Sequence, residues 1–431
     1  MEMLNRFKKL IKKILPCFLI SWYHFFLAFL GAFIYRFPSK KMKIIGVTGT
    51  NGKTTVVKMI SKILEQGGYK IASFSSIELK IGKKEEENVL RMTMPGRFKL
   101  QRFLRQALNK GCQYVVLEVS SEGIKQHRHR FIDFNIAVFT NLTPEHIEAH
   151  GSFEKYRQAK GKLFQAVKDI HVLNLDDKNI DYFLNFRADK KYGYGLSIKL
   201  QQTGADDKSL NHKIIVSDYK TDTRGITFKI DDIVFDIKLL GDFNIYNALA
   251  AICVGLSQDI DLETCKNALE KIKGMPGRME MVISEPFKVI VDYAVTPNAL
   301  EKVYQTIKNN FNPKKLICVL GASGGGRDKW KRPVLGELAA KYCSDVIVTN
   351  EDPHDEDPMD IINQVAGGAG SRAKKILDRR EAIRNSLRSA RTGDVVVITG
   401  KGCEPCIFIS KDKKMPWDDR EVVREEFEKL G

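Results

Sequence analysis

The sequence of 431 residues predicts an α/β protein with two domains, each built on a mainly parallel sheet. One observation is that short β-branched runs alternate with helical segments from Lys43 onward, a pattern typical of doubly wound sheets. Another is a glycine-rich turn at residues 46–55, which lies between an apolar run and a helical segment. The last is a second alternating series after a turn cluster at 274–278. The length of the chain agrees with more than one domain, because it exceeds what one hydrophobic core supports.

The central domain is placed at residues 43–284. Strands are predicted in its first half at 44–47, 71–74, 114–119, 136–140 and 172–175. Further along, the runs at 213–216, 225–230 and 233–239 follow one another without helices, so they predict an antiparallel meander. A helix is predicted at 244–256.

The C-terminal domain is placed at residues 285–431. Its apolar runs predict four strands with helices between them, at 288–292, 316–320, 346–349 and 395–399. Such a series predicts a separate Rossmann-like α/β domain.

The charge is uneven along the chain. The net charge is +17, and residues 1–43 contain nine Lys or Arg against one acidic residue. The body is only moderately basic and has no basic helix interleaved with aromatic residues, so we expect anionic substrates and no nucleic acid. Of eight cysteines only Cys403 and Cys406 are closely spaced, and one such pair does not complete a zinc site. Reduced thiols are expected.

The N-terminal segment is hydrophobic between basic flanks. Residues 16–35 carry no Asp, Glu, Lys or Arg and are about long enough to cross a bilayer. No cleavage site of a signal peptide follows. Basic residues on both sides conflict with a simple span, and a helix lying in the membrane plane removes that conflict, so an in-plane helix and a true span both stay open. Burial of the helix against the body of the protein is the alternative to membrane association. We predict that residues 1–42 form a basic, hydrophobic, membrane-associating segment.

The turn Gly46-Val47-Thr48-Gly49-Thr50-Asn51-Gly52-Lys53-Thr54-Thr55 fits a P-loop except at the first glycine position, which holds Val47. Backbone N–H groups of such a turn converge on phosphate oxygens, and the following helix adds positive potential. Lys53 is predicted to reach the terminal phosphates, and Thr54 to offer its hydroxyl to Mg²⁺. The sequence therefore predicts that the central domain binds ATP with Mg²⁺.

Two more polar residues follow predicted strands. Glu118 ends a strongly apolar strand, and His146 comes shortly after another. The carboxyl ends of parallel strands meet in the crevice where such sheets bind ligands, so the pair is a candidate metal site. Taken alone, each side chain fits a solvated surface position better than a metal site. Lys160 lies in an amphipathic helix and has no special feature by pattern.

Taken together, the motifs resemble those of the Mur ligases, the ATP-dependent amide-forming enzymes of peptidoglycan precursor synthesis, and most of all their UDP-N-acetylmuramoyl-tripeptide synthetase branch. The resemblance covers residues 43–431. The motifs that carry it are Gly-Thr-Asn-Gly-Lys-Thr-Thr, Glu118-Val119-Ser120-Ser121, Thr140-Asn141-Leu142, Gly241-Asp242-Phe243-Asn244-Ile245-Tyr246-Asn247-Ala248, Gly277-Arg278, Asp292-Tyr293-Ala294, Gly324-Gly325-Gly326-Arg327-Asp328-Lys329 and Asp418-Asp419-Arg420-Glu421.

The resemblance implies a role for each site residue. Lys53, Glu118, His146 and Lys160 would be catalytic, Lys160 as a carbamylated lysine that helps to position metal. Nucleotide would be bound by Gly49, Thr50, Asn51, Gly52, Lys53, Thr54, Thr55, Asn244, Asn247, Arg278 and Asp292. Metal would be held by Thr54, Glu118, His146 and carbamylated Lys160. Acceptor and amino acid would contact Thr93, Pro95, Ser120, Arg327, Asp352, His354, Gly400 and Glu404.

The implied reaction joins an amino acid to a muramoyl-L-Ala-D-Glu type precursor. A substrate carboxylate attacks the γ-phosphorus of ATP to give an acyl phosphate and ADP, and the amine then displaces phosphate to form an amide. The amino acid is expected to be meso-diaminopimelate or L-lysine. We expect a monomer in the cytoplasm, at the inner face of the cell membrane.

Several features depart from the family. Only about 42 residues precede the loop, so the family's UDP-binding domain is not expected, and a lipid-linked acceptor is the alternative to a UDP-linked one. Family histidines are replaced by Glu122, Val295 and Cys403, and His354 stands where diaminopimelate-adding enzymes have arginine. The alternatives are a ligase of the folylpolyglutamate or cyanophycin type and a membrane-tethered ATP-binding protein without catalysis. The joint presence of the catalytic residues argues against the latter.

Overall fold

A computed structural model of the protein describes residues 17–88, 92–196, 210–410 and 413–430. The first sixteen residues of the predicted membrane-associating segment lie outside these ranges. The helices are α1 (Cys17–Ile34), α2 (Lys53–Gln66), α3 (Arg97–Asn109), α4 (Ser121–Lys125), α5 (Ile147–His150), α6 (Phe153–Ala166), α7 (Ile180–Leu184), α8 (Phe243–Leu256), α9 (Leu262–Leu269), α10 (Pro297–Phe311), α11 (Lys331–Tyr342), α12 (Pro358–Ala369), α13 (Arg379–Ser389) and α14 (Asp419–Glu428).

The strands form two large and two small sheets. They are β1 (Lys43–Thr48), β2 (Ile71–Phe74), β3 (Glu78–Ile81), β4 (Lys84–Glu87), β5 (Tyr114–Glu118), β6 (Phe134–Phe139), β7 (Ile170–Asn174), β8 (Lys190–Leu196), β9 (His212–Val216), β10 (Tyr219–Thr221), β11 (Ile226–Ile230), β12 (Ile233–Ile237), β13 (Glu280–Ile283), β14 (Lys288–Asp292), β15 (Leu316–Leu320), β16 (Asp345–Thr349), β17 (Ala373–Ile376), β18 (Val395–Thr399), β19 (Cys406–Phe408) and β20 (Lys414–Pro416). The α/β fold with mainly parallel sheets is confirmed.

The larger sheet runs β4-β3-β2-β5-β1-β6-β7-β8-β9 and is parallel except at one edge, where β3 pairs antiparallel with both β2 and β4. Its middle strand β1 is parallel to both neighbours, and Val47 faces Glu118 while Thr48 faces Phe139. Apolar side chains of α2, α8 and α9 cover one face of the sheet, and those of α3, α6 and α7 cover the other. Burial on both faces explains why the central strands read as continuous apolar runs.

The predicted meander is partly wrong. Strands β10, β11 and β12 form a small antiparallel sheet, as expected for 225–239. The run at 213–216, however, belongs to β9, which pairs in parallel with β8 at the edge of the larger sheet. Pattern alone did not reveal this because an edge strand in either sheet has the same alternation.

The second large sheet runs β13-β14-β18-β15-β16-β17 and is parallel except for β13. Helices α10, α11 and α12 cover one face, and α13 and α14 cover the other. Pairing of β13 with β14 begins this sheet at Glu280, a few residues before the predicted boundary. The boundaries of the three predicted regions stay a prediction.

Helix α1 lies outside both sheets and packs against α3, where its Gly31 approaches the backbone of Arg97 and Phe98. Within the described ranges, no helix combines the length and the apolarity needed to cross a membrane.

Candidate active site

The predicted P-loop connects β1 to α2 at the carboxyl edge of the larger sheet. The end of the neighbouring strand β6 holds this loop in place. The Asn51 N–H donates to Asn141 Oδ1 (3.0 Å), and Thr140 Oγ1 donates to the Asn51 carbonyl (2.7 Å). The backbone N–H of Thr50 donates to the Asn141 carbonyl (2.8 Å). The sequence marks Thr140 and Asn141 as part of a motif without assigning them a role, although their position after a strand adjacent to β1 is a signal of one.

Two glycines of the loop are required by its shape. Gly49 and Gly52 have φ angles of 149° and 84°, which L residues with side chains rarely adopt. A Cβ atom at Gly49 would collide with Thr140, and one at Gly52 would collide with Asn247. The backbone can therefore curl tightly at the start of α2, where N–H groups and the helix dipole favour bound phosphate.

Lys53 and Thr54 begin α2 and both approach Glu118. Lys53 Nζ donates to the Thr50 carbonyl (2.8 Å) and lies 3.9 Å from Glu118 Oε1. Thr54 Oγ1 donates to Glu118 Oε2 (3.0 Å), which also accepts from the backbone N–H and the hydroxyl of Ser76 (2.8 and 3.1 Å). Burial lowers the pKa of Lys53, an effect that Glu118 opposes. Ser76 was missed by sequence reasoning, although it follows β2 at the same edge.

Lys160 on α6 lies beneath the loop. Its side chain is buried, and its Nζ donates to the Gly49 carbonyl (2.7 Å) and lies 4.7 Å from the centre of the Tyr156 ring. Burial, together with repulsion from Lys53, lowers the pKa of Lys160 well below its usual value. The structure thus brings Lys160 to the loop, a placement that its helical pattern did not reveal.

His146 also lies near the Tyr156 ring, with ring centres 5.9 Å apart. Burial first, and then the cations Arg327, Lys160, Lys53 and Lys331, lower the pKa of His146 to about 2. Its neutral imidazole can therefore act as a ligand or an acceptor. Several cations around one buried point make the crevice a favourable place for a polyanion such as a triphosphate.

Of the residues predicted to bind nucleotide, Asn247 lies beside Gly52 of the loop and is hydrogen-bonded to Asn244. Asn247 Nδ2 donates to Asn244 Oδ1 (2.8 Å), and Asn244 Nδ2 donates to the Leu240 carbonyl (2.8 Å). Arg278 stacks on Tyr293 with its guanidinium carbon 4.2 Å from the ring centre. The carboxylate of Asp292 accepts the backbone N–H groups of Met279 and Ala294 (2.7 and 2.6 Å), so it also fixes the turn between the domains.

Of the residues predicted to bind the amino acid, Asp352 and Glu404 contact Lys401 in the C-terminal domain. Lys401 Nζ donates to both oxygens of Asp352 (2.8 and 2.9 Å) and to Glu404 Oε2 (2.5 Å). The ring of His354 stacks on that of Phe408, with centres 5.1 Å apart. Gly400 has a φ of 114° and approaches Glu351. Burial, together with Arg327, lowers the pKa of His354. Lys401 was not predicted as a site residue.

The predicted acceptor residues lie on the central domain near Glu118. Thr93 Oγ1 is 2.9 Å from Ser76 Oγ, and Ser120 Oγ accepts the Gly123 N–H (3.1 Å) as the N-cap of α4. Pro95 lies two residues before α3. A cleft of about 300 Å³ lies between the central and C-terminal domains, lined among others by Ser76, Cys403, Glu404 and Arg420.

The two domains also touch directly next to His146. Asp328 accepts the backbone N–H groups of Ile147 and Glu148 (3.1 and 2.9 Å), and Lys331 Nζ donates to Glu145 Oε1 (2.8 Å). Both members of the Lys331–Glu145 pair are buried. Sequence reasoning missed this contact, because nothing local marks residues that pair across domains.

The predicted metal ligands are only partly assembled. In the described part of the chain, no group of three or more His, Cys, Asp or Glu is arranged to hold a metal. The Thr54 hydroxyl and the Glu118 carboxylate do meet, and they are the hard oxygen donors that suit Mg²⁺. Since Mg²⁺ is usually bound by one or two protein oxygens together with substrate phosphates, this pair fits it.

Comparison with known proteins finds two family matches. Residues 47–255 match the family described as Mur ligase middle domain, and residues 277–402 match the one described as Mur ligase, glutamate ligase domain. The chain is 39% identical, over 93% of its length and 81% of the relative's, to a UDP-N-acetylmuramoyl-L-alanyl-D-glutamate–2,6-diaminopimelate ligase of Syntrophomonas wolfei. It is 36% identical, over 94% and 82%, to a UDP-N-acetylmuramyl-tripeptide synthetase of Roseiflexus sp..

Solved structures agree. A UDP-N-acetylmuramoyl-L-alanyl-D-glutamate–2,6-diaminopimelate ligase is 31% identical with a TM-score of 0.59, and the match covers 90% of this chain and 79% of that one. The folylpolyglutamate synthase of Mycobacterium tuberculosis has a TM-score of 0.67 over 92% and 95%, but its 16% identity shows similarity of fold alone.

Proposed function

Since the chain belongs to the Mur ligase family of ATP-dependent amide-forming enzymes, we propose that it joins diaminopimelate to a UDP-muramoyl-L-alanyl-D-glutamate acceptor. The observation that carries the proposal is the meeting of Lys53, Glu118 and Lys160 at the loop between β1 and α2. A cleft beside this point opens between the two domains, where an acceptor carboxylate and an amine can meet.

The protein's part in the chemistry is positioning and charge neutralisation. The loop and Lys53 would hold the phosphates of ATP, and bound Mg²⁺ on Thr54 and Glu118 would neutralise charge on them. A carboxylate oxygen of the acceptor then forms a bond to the γ-phosphorus while ADP leaves. The amine nitrogen next bonds to the acyl carbon, phosphate departs, and a proton is released to give the amide.

The choice of amino acid is supported by the names of the relatives, most of which are diaminopimelate ligases. His354 replaces the arginine expected for that specificity. We propose that its neutral ring and the nearby Arg327 together bind the distal carboxylate of diaminopimelate. L-Lysine, which lacks the distal carboxylate, is the competing substrate.

An amino-acid panel tests the proposal. ADP release would be measured with ATP, Mg²⁺ and UDP-muramoyl-L-alanyl-D-glutamate, adding meso-diaminopimelate, L-lysine, L-glutamate or no amino acid. We expect release that depends on both acceptor and diaminopimelate, with the tripeptide confirmed by mass spectrometry. Preference for lysine would overturn the proposed specificity, and release without amide formation would overturn the ligase. Omission of Mg²⁺ should abolish turnover.

We place the enzyme at the inner face of the cell membrane as a monomer, in contact with the lipid surface through residues 1–42. Support comes from the uncharged run at 16–35 and the basic residues on both sides of it. Analytical ultracentrifugation tests the monomer, since a stable dimer at micromolar concentration would contradict it.

A further inference from the structure

Helix α1 turns its small side chains towards the protein and most of its large apolar side chains outward, the reverse of an ordinary surface helix. Ala28 and Ala32 are 2% and 0% exposed, and Gly31 beside them lies against the start of α3. Trp22 and Phe33, in contrast, are 69% and 61% exposed. An amphipathic helix of a water-soluble domain turns its large apolar side chains inward. Here small residues allow close packing on α3, and aromatic side chains such as Trp22 and Phe33 point away from the protein.

The helix is held firmly in this orientation. Arg105 of α3 donates from Nε and Nη2 to the Tyr35 carbonyl at the end of α1 (3.0 and 2.6 Å). Near the other end, Ser21 Oγ lies 2.7 Å from His127 Nε2, and Phe25 packs edge-on against Phe131 with ring centres 5.1 Å apart. The outward face is therefore a fixed part of the surface.

Among the residues that the structure describes, α1 holds most of the exposed large apolar side chains. Nine of the sixteen exposed large hydrophobic side chains in the described residues belong to α1, namely Phe18, Leu19, Trp22, Tyr23, Phe25, Phe26, Phe29, Phe33 and Ile34. A contiguous patch of this kind on a folded protein marks an interaction site. Its content of Trp, Tyr and Phe is typical of helices that lie at the boundary between lipid headgroups and acyl chains.

The charges around the patch indicate the partner. Arg36, Lys40 and Lys41 follow α1 and are exposed, and five more basic residues stand before it in the sequence at positions 6, 8, 9, 12 and 13. Two copies of the chain meeting through this face would bring these like charges together, which opposes self-association. An anionic surface is attracted to them instead.

We propose that α1 lies in the plane of an anionic phospholipid surface, with its outward aromatic side chains among the acyl chains and the basic residues at the headgroups. Because α3 begins two residues after Pro95, this contact holds the acceptor side of the enzyme close to the lipid. The inference rests on the proposed membrane location and on no part of the proposed ligase chemistry.

Sedimentation with vesicles tests it on the full chain. The wild type should bind vesicles of phosphatidylglycerol and phosphatidylcholine far better than pure phosphatidylcholine, and Trp22→Ser/Phe26→Ser/Phe33→Ser should lower the partition by about tenfold or more. Val234→Ser/Leu377→Ser, which removes exposed apolar side chains elsewhere, should bind as the wild type does. Equal binding by both variants, or no binding by the wild type, would overturn the proposal.

Charge-reversal variants and the depth of Trp22 in the bilayer give two further readouts. Lys40→Glu/Lys41→Glu should weaken binding to the anionic vesicles, whereas Lys374→Glu/Lys375→Glu in the C-terminal domain should not. Brominated acyl chains should quench a tryptophan component that Trp22→Phe removes. If the triple variant instead abolishes a dimer of the wild type, the partner is a second copy and the proposal fails. Turnover in vesicle-free buffer should be unchanged in all these variants, which separates this test from that of the ligase.

Discussion

At the scale of single residues, Lys53 has the clearest expected effect. It begins α2, and its Nζ lies 3.9 Å from Glu118 Oε1 and donates a hydrogen bond to the Thr50 carbonyl in the loop. Lys53→Ala removes the positive charge next to the transferring phosphoryl group, so kcat/KM should fall by about 10³-fold or more. Lys62→Ala on the same helix is the control and should keep full activity. A Lys53→Ala enzyme with wild-type kcat/KM in the ADP-release assay would contradict the role.

Lys160 is expected to be carbamylated. Burial lowers its pKa, so a larger fraction of its amine is neutral and can attack CO₂, forming an N–C bond and releasing a proton. The resulting carbamate carries the negative charge that a metal-binding role requires. We predict a carbamate carbon signal in ¹³C NMR of wild type supplied with labelled bicarbonate.

Substitution separates this role from a structural one. Lys160→Ala should lose both the carbamate signal and turnover, and added acetate should restore part of the turnover. Lys162→Ala, two residues along the same helix and exposed, should keep both. Normal turnover in Lys160→Ala would exclude carbamylation as a requirement.

The sequence predicts those residues of the candidate site that are marked by their immediate neighbours along the chain. Lys53 and Thr54 are marked by the succession of strand, glycine turn and helix, and Glu118 by its place at a strand end. Ser76 and Lys401 could not be found in this way, because their partners Glu118 and Asp352 lie 42 and 49 residues away. Contacts of that kind depend on how the sheets assemble, which periodicity does not encode.

At the scale of elements, burial decided which strands could be predicted. Strands β1, β2, β5 and β15 are buried along almost their whole length and read as apolar runs. Strand β4 was not predicted, because all four residues of Lys84–Glu87 are exposed and charged at the sheet edge. Charged edge strands protect a sheet from pairing with other chains, so their sequences do not show the alternation that marks a half-buried strand.

The connection from α6 to β7 is expected to be sensitive to acid. His171 on β7 is fully buried, its Nε2 lies 3.1 Å from the Val167 carbonyl, and burial lowers its pKa to about 4. The unfolded chain binds a proton at His171 below about pH 6.5, whereas the folded chain does so only near pH 4. The stability contributed by the neutral ring is therefore present above pH 6.5 and is lost as the pH falls towards 4.

Denaturant unfolding at two pH values measures this contribution. The free energy of unfolding of the wild type should decrease between pH 7 and pH 5, and His171→Gln should reduce that decrease by about 2 kcal/mol. His212→Gln, at an exposed position on β9, is the control and should leave the decrease unchanged. An identical pH dependence in wild type and His171→Gln would show that His171 is not the titrating group.

At the scale of the whole molecule, the two domains are joined beside the reacting groups. Asp328 caps α5 through two backbone N–H groups, and Lys331 pairs with Glu145, the residue before His146. An ion pair in which both side chains are buried stabilises the contact between the domains only while they are together, since opening returns both charges to water. We therefore expect this pair to favour the closed arrangement in which the cleft is complete.

A double-mutant cycle on Glu145 and Lys331 tests that expectation. Glu145→Gln or Lys331→Met alone leaves one buried charge without its partner, so kcat/KM for the amino acid should fall, and small-angle scattering should show a more extended enzyme. The double variant has no unpaired charge and should recover part of the loss, giving a coupling energy of about 2 kcal/mol. The pair of exposed Lys341 and half-buried Glu301, studied in the same way, should give a coupling energy below about 0.5 kcal/mol. Additive effects of Glu145→Gln and Lys331→Met, with unchanged scattering, would mean that the pair does not control closure.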